Sequence, residues 1–139
     1  MKVIAAKNIG FCFGVERAVS LAEQTAKSCA SAVTLGPIIH NRHVVERFEA
    51  MGLREIARAE DAQPGQTVVI RAHGIPVSEQ QTLAVRGAKL VDATCPFVKK
   101  IHVIARQAEE AGRHLLIIGT PTHPEVTAIA SYSFDAHVF

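Results

Sequence analysis

Apolar and polar positions along the chain alternate in blocks that predict strand, corner and helix, repeated about five times. Lys2 to Ala6 reads as a first strand, and residues 15–30 then place Val15, Ala18, Val19, Ala22, Ala26 and Cys29 on one helical face. A strand at Ala32 to Leu35 runs into Gly36-Pro37-Ile38-Ile39-His40-Asn41. Asn41 suits the N-cap of a helix through Val44, Val45, Phe48 and Met51 to Gly52. After a charged stretch and the turn Gln63-Pro64-Gly65-Gln66, the β-branched run Thr67 to Ile70 predicts a strand ending at Arg71-Ala72-His73-Gly74. A helix over about Val77 to Arg86 and a brief strand at Lys89 to Val91 lead into Asp92-Ala93-Thr94-Cys95-Pro96. Pro96 fits a first helical turn and sets Cys95 at a helix N-terminus.

The helix after Pro96 carries apolar residues at Phe97, Val98, Ile101, Ile104, Ala105, Ala108 and Ala111, with Lys99, Lys100, His102, Arg106 and Glu109 elsewhere around it. His114 to Ile118 is an apolar run typical of a buried parallel strand. It breaks at Gly119-Thr120-Pro121-Thr122-His123-Pro124-Glu125, a short helix follows before Ser131, and the chain ends in a turn and the start of another strand. This order predicts the α/β class: a parallel sheet in three-layer βα repeats, one complete domain plus part of a second similar one. The first domain is expected over residues 1–95, with an N-terminal strand and the Cys12 turn, and the partial second over 96–139. Right-handed crossovers place every strand-to-helix corner at the carboxyl edge of the sheet, where such folds bind ligands.

Five chemically distinctive residues fall at those corners: Cys12, His40, His73, Cys95 and His123. Cys12 lies between Gly10 and Gly14 in Asn8-Ile9-Gly10-Phe11-Cys12-Phe13-Gly14-Val15-Glu16-Arg17. Flanking glycines permit a tight turn and close approach of a bulky group, and the helix that follows offers its positive end to a thiolate. One corner histidine can be a turn residue; three in equivalent places with two thiols point to a site. Glu125 adds a carboxylate able to pass a proton, although a first-turn Glu also complements a helix dipole.

Composition narrows the chemistry. The 139 residues carry a formal charge of +2 with 20% charged residues, too little for a nucleic-acid surface, while a small anionic ligand fits. No apolar run reaches the roughly 20 residues of a membrane span, and the start is too short for a signal peptide, so a cytoplasmic location is expected. Three widely spaced cysteines argue against a disulfide framework. Cys29 is separated from Cys12 by mostly helix, on the order of 25 Å at ~1.5 Å per residue, which makes it a buried core thiol rather than a partner in one small site. His43, His102, His114 and His137 are expected to be solvated or structural. There is no phosphate-loop motif, no dinucleotide fingerprint and no Cys-x-x-Cys pair. A Cys95, His73, Asp92 nucleophilic arrangement is conceivable but leaves Cys12, His40 and His123 unexplained. Two thiolates suggest a soft-metal cluster, with histidines around it for an anion such as diphosphate.

Taken together, Gly10-Phe11-Cys12-x-Gly14-Val15-x-Arg17-Ala18, Ile39-His40-Asn41, Ala72-His73-Gly74, Asp92-Ala93-Thr94-Cys95-Pro96 and His123-Pro124-Glu125 closely resemble the LytB/IspH family of 4-hydroxy-3-methylbut-2-enyl diphosphate reductases. The resemblance covers the N-terminal half of such a protein, whose members are about twice as long and place three similar α/β domains around a central site. It implies reductive dehydroxylation in the non-mevalonate route to isoprenoids: two electrons and two protons remove an allylic hydroxyl, giving isopentenyl and dimethylallyl diphosphates. Cys12 and Cys95 would ligate an iron-sulfur cluster of 4Fe-4S type, whose third cysteine ligand this chain lacks. His40, His73 and His123 would bind the substrate, with His123 and Glu125 near the reacting end and Glu125 in the proton relay. Ferredoxin or flavodoxin would supply electrons. The resemblance further implies that Lys2 to Ala6 is left without a strand partner, that the chain alone is inactive, and that an unfinished second domain exposes apolar surface and self-associates. An alternative is a non-redox diphosphate-binding or interaction module on the same scaffold.

Overall fold

The computed structural model describes residues 1–7 and 9–139. Asn8, where the Cys12 turn begins in the sequence reading, lies outside the described residues. The elements are α1 (Phe13–Ser28), β1 (Val33–Leu35), α2 (Arg42–Ala50), β2 (Arg54–Ile56), a 3-10 turn (Ala59–Asp61), β3 (Thr67–Ile70), α3 (Val77–Val85), β4 (Lys89–Asp92), α4 (Pro96–Glu110), β5 (Leu115–Ile117), α5 (Pro124–Ala130) and β6 (Ala136–Val138). The first four strands form one sheet in the order β2-β1-β3-β4, and β5 pairs with β6 in a second sheet. All pairings are parallel, as the alternation of strands and helices requires.

The chain moves from β1 outward to β2, then crosses back to β3 and continues to β4, so the winding reverses between β1 and β3. Leu35 pairs with Ile70, which brings the two strands to the carboxyl edge at the same level. That reversal opens the crevice in which open α/β sheets take ligands. Two apolar layers flank the sheet. Ala18, Ala22, Val44, Phe48 and Val69 pack on the face covered by α1 and α2, and Val33, Leu35, Val68, Ile70, Ile75 and Leu83 pack on the face covered by α3 and the 3-10 turn. Asn41 caps α2 as expected, its Oδ1 accepting from Val44 N at 3.2 Å.

Several expectations need correction. Lys2 to Ala6 is not a strand: it is exposed and pairs with nothing in either sheet, the outcome the family resemblance implies. A strand exists only where a ladder partner takes its N-H and C=O groups. The charged stretch contains β2, a three-residue edge strand whose Arg54 and Glu55 face solvent, too short and polar to show alternation. On α4 the buried residues are Val98, His102 and Ala105, while Phe97, Ile101 and Ile104 are exposed. The β5 run is not buried either, with Leu116 66% and Ile118 93% exposed. Among the described residues, no helix is long and apolar enough to cross a membrane.

Candidate functional site

The carboxyl-edge corners are stitched together through the backbone. Ala72 N donates to Ile38 O at 3.2 Å, and Cys95 N donates to Ala72 O at 2.9 Å, so the loops carrying His40, His73 and Cys95 lie side by side. Arg17 on α1 donates to Thr94 O at 3.2 Å and to Asp92 O at 3.5 Å, which fixes the start of α1 against the end of β4. Cys12 and Cys95 are the N-cap residues of α1 and α4, and both thiols are free. Gly14, the second residue of α1, packs onto Cys95: a Cβ there would overlap Cys95 Sγ.

Three imidazoles converge beside these thiol turns. Ring centroids are 4.7 Å apart for His40 and His73, 5.5 Å for His73 and His123, and 6.0 Å for His40 and His123. One nitrogen of each lies within 4.8 Å of the others. His123 is the N-cap of α5, and its Nδ1 accepts from Glu125 N at 3.3 Å. With Nδ1 an acceptor, the proton of the neutral ring is on Nε2, which is therefore a donor. His73 is half-buried, with Nδ1 buried and unpartnered among the described residues. Burial, reinforced by the charges of His40, His123 and Arg71, pushes its pKa down to about 4, so the ring is neutral near pH 7.

Three imidazole nitrogens within 4.8 Å of one another could hold a metal ion, and the same rings can bind an anion through their N-H groups. A tetrahedral ion with nitrogen ligands at about 2.0–2.1 Å holds them about 3.4 Å apart and needs a lone pair from each. In the arrangement seen, His123 offers an N-H at Nε2, a donor suited to an anion. An anion can accept one hydrogen bond from each imidazole, and its charge favours uptake of a solvent proton by His73. A cavity of about 270 Å³ adjoins the triad, lined by Phe11, Val15, Ile39, His40, Asn41 and His73. The lining sets the apolar side chains of Phe11, Val15 and Ile39 beside His40, Asn41 and His73.

The other residues fall outside this cluster. Cys29 is the C-cap at the far end of α1, with Sγ 3.5 Å from Thr67 Oγ1; it is partly exposed rather than fully buried. Asp92 holds Lys99 at 2.6 Å and accepts from Thr94 N at 2.9 Å, so it is engaged away from any Cys-His pair. His43 is solvated, and His114 and His137 both pair with Asp135. Sequence reasoning missed Arg17, whose place one turn after Cys12 is the available signal, and the buried His102, which periodicity set on the wrong side of α4.

A parallel α/β sheet carrying imidazoles and free thiols at its switch-point edge defines a ligand-binding α/β protein. The family follows from comparison: the LytB protein family model matches residues 3–139, and the chain belongs to that family. It is 42% identical over 133 residues to the 4-hydroxy-3-methylbut-2-enyl diphosphate reductase of Citrifermentans bemidjiense, covering 96% of this chain and 47% of the relative. The reductase of Aquifex aeolicus is 43% identical over 131 residues, covering 94% and 45%. Among solved structures, an (E)-4-hydroxy-3-methyl-but-2-enyl diphosphate reductase, described as the terminal enzyme of the non-mevalonate pathway, superposes with a TM-score of 0.81 at 39% identity, covering 98% of this chain and 50% of that one. The E-1-hydroxy-2-methyl-but-2-enyl-4-diphosphate reductase from Plasmodium falciparum gives 0.87 at 28% identity, covering 94% and 42%. The chain spans about half the length of the curated relatives it matches.

Proposed function

We propose that this chain forms the diphosphate-binding and part of the cluster-binding portion of a 4-hydroxy-3-methylbut-2-enyl diphosphate reductase, acting in the cytoplasm. The observation that carries the reading is the convergence of His40, His73 and His123 beside an apolar-walled cavity and two free thiols at helix N-termini. The imidazoles anchor the diphosphate, which loads His73 with a proton as its negative charge arrives. Phe11, Val15 and Ile39 cover the hydrocarbon portion and turn the allylic end toward the cysteines. Glu125, held in the first turn of α5 next to His123, delivers a proton to the departing hydroxyl.

The donor set at the thiol turns fits an iron-sulfur cluster: two unpaired cysteines at adjacent helix N-termini, with Gly14 leaving room at the contact. Cys12 and Cys95 would hold it, and when bound it supplies the two electrons of the reduction, received from ferredoxin or flavodoxin. Cys29, at the opposite end of α1, supplies no third ligand, so turnover requires ligands beyond those this chain brings to the site. Anaerobic reconstitution followed by iron and sulfide analysis tests this. Iron and sulfide retained by the wild-type chain and lost in Cys12→Ser and Cys95→Ser support it, and reductase turnover by the chain alone overturns the incomplete-site part.

The presence of only two thiols at the site also favours a second reading, a diphosphate-binding module without redox chemistry. Pyrophosphate binding with no retention of iron would select it.

A further inference from the structure

Tyr132 joins the two sheets at a point away from the three imidazoles. Its ring stacks on His102 of α4, with centroids 4.7 Å apart and planes 27° from parallel, and the Arg106 guanidinium carbon lies 5.1 Å from the tyrosine centroid. The Tyr132 hydroxyl accepts from Gln80 Nε2 at 2.9 Å, and Ser131 Oγ accepts from Val77 N at 3.0 Å. Val77 and Gln80 belong to α3, the helix that follows the His73 corner.

His102 is 7% exposed and lies directly against that corner. A Cβ on Gly74 would sit 2.6 Å from His102 Cε1 and 3.3 Å from Thr94 Cγ2, and the φ of +76° at Gly74 is one that few other residues adopt. His102 Nε2 is buried and has no partner among the described residues, which makes an imidazole an expensive choice for mere filling. A flat ring that lies beneath a Cβ-less residue and stacks on Tyr132 is what this position uses.

Helix α5 connects this junction to the site. Its N-cap is His123 and its C-cap is Ser131, with seven helical residues between them, so the caps stand about 12 Å apart. One end presents an imidazole to the anion, and the other is fastened to α3 and α4. We propose that the Ser131–Tyr132 corner, seated on His102 and Gln80, is a positioning element that holds α5 so that His123 faces His73. The inference rests on the diphosphate reading and extends it to residues that touch no ligand atom. It also accounts for how an imidazole from the second sheet joins two from the first.

Ring-to-ring proton cross-relaxation in the full 139-residue chain tests the geometry without any ligand. Wild type should show contacts for both His40–His73 and His73–His123. Tyr132→Ala should keep the first contact and lose the second, while Tyr132→Phe, which retains the ring, should keep both. Affinity for inorganic pyrophosphate should fall about tenfold in Tyr132→Ala and recover most of the way in Tyr132→Phe, since the first loses a hydrogen bond and the stack on His102 and the second loses the hydrogen bond alone. If Tyr132→Ala does not fold, the double variant Ser131→Ala, Tyr132→Phe removes three hydrogen bonds, to Val77, Ala128 and Gln80, at nearly constant volume and should selectively weaken the His73–His123 contact. A His73–His123 contact that survives intact in the folded variant used, or falls only together with His40–His73, overturns the proposal. Failure of the wild-type chain to bind pyrophosphate would instead remove the diphosphate reading, leaving the ring contacts to decide the positioning role separately.

Discussion

Gly14 and Cys95 meet so closely that no side chain fits between them: a Cβ on residue 14 would overlap Cys95 Sγ and stand 3.0 Å from Cys95 Cβ. Gly14 is helical, so alanine there is favoured by the backbone by ~1 kcal/mol, and any loss must be steric. Gly14→Ala is expected to lower stability by about 1–2 kcal/mol net, because overpacking outweighs propensity. It should also reduce the iron retained after reconstitution, since Cys95 is displaced from the Cys12 turn. Urea midpoints and iron analysis read both effects, and a raised midpoint would contradict the contact.

His73 makes stability depend on pH in a definite direction. Its pKa in the folded chain, about 4, lies below the ordinary 6.5 because of burial first and the neighbouring positive charges second. The unfolded chain therefore binds more protons between those values, and stability rises with pH across that window. The penalty is fully developed below about pH 4 and absent above 6.5. Between pH 7.5 and 4.5 wild type should therefore lose more stability than His73→Gln, by less than the full shift implies because solvent reaches this half-buried ring. Urea titrations of both proteins at the two pH values measure the difference; equal losses would show that His73 titrates normally.

The outward stripe Phe97, Ile101 and Ile104 on α4 recurs at helical spacing, and these residues are 69%, 40% and 52% exposed. With Leu116 and Ile118 also exposed, the chain is expected to self-associate, an apolar surface of this kind being rare on monomers. Sedimentation equilibrium should show mass rising with concentration, and Phe97→Lys with Ile104→Glu should restore the monomer. A wild-type monomer throughout would contradict this.

What could be read from the sequence follows from where local rules operate alone. The corners at His40, His73, Cys95 and His123 were legible because glycine, proline and capping residues mark where strands hand over to helices, and topology then gathers them at one edge. Periodicity failed on α4 because it ranks residues by polarity, whereas His102 is buried by a specific partner surface, Gly74 and Tyr132. Lys2 to Ala6 has the composition of a strand, but ladder partners are a tertiary property that no local window contains. The neutral state of His73 was equally hidden, since it arises from burial and from two imidazoles distant in sequence.

Inorganic pyrophosphate titrated calorimetrically into the iron-free chain tests the central assignment most directly. One binding event is predicted, weakened at least about tenfold by His40→Ala or His73→Ala, as the loss of a hydrogen bond to a charged group implies, and essentially unchanged by Cys12→Ser or Cys95→Ser. No binding, or binding indifferent to His40 and His73, would contradict the account.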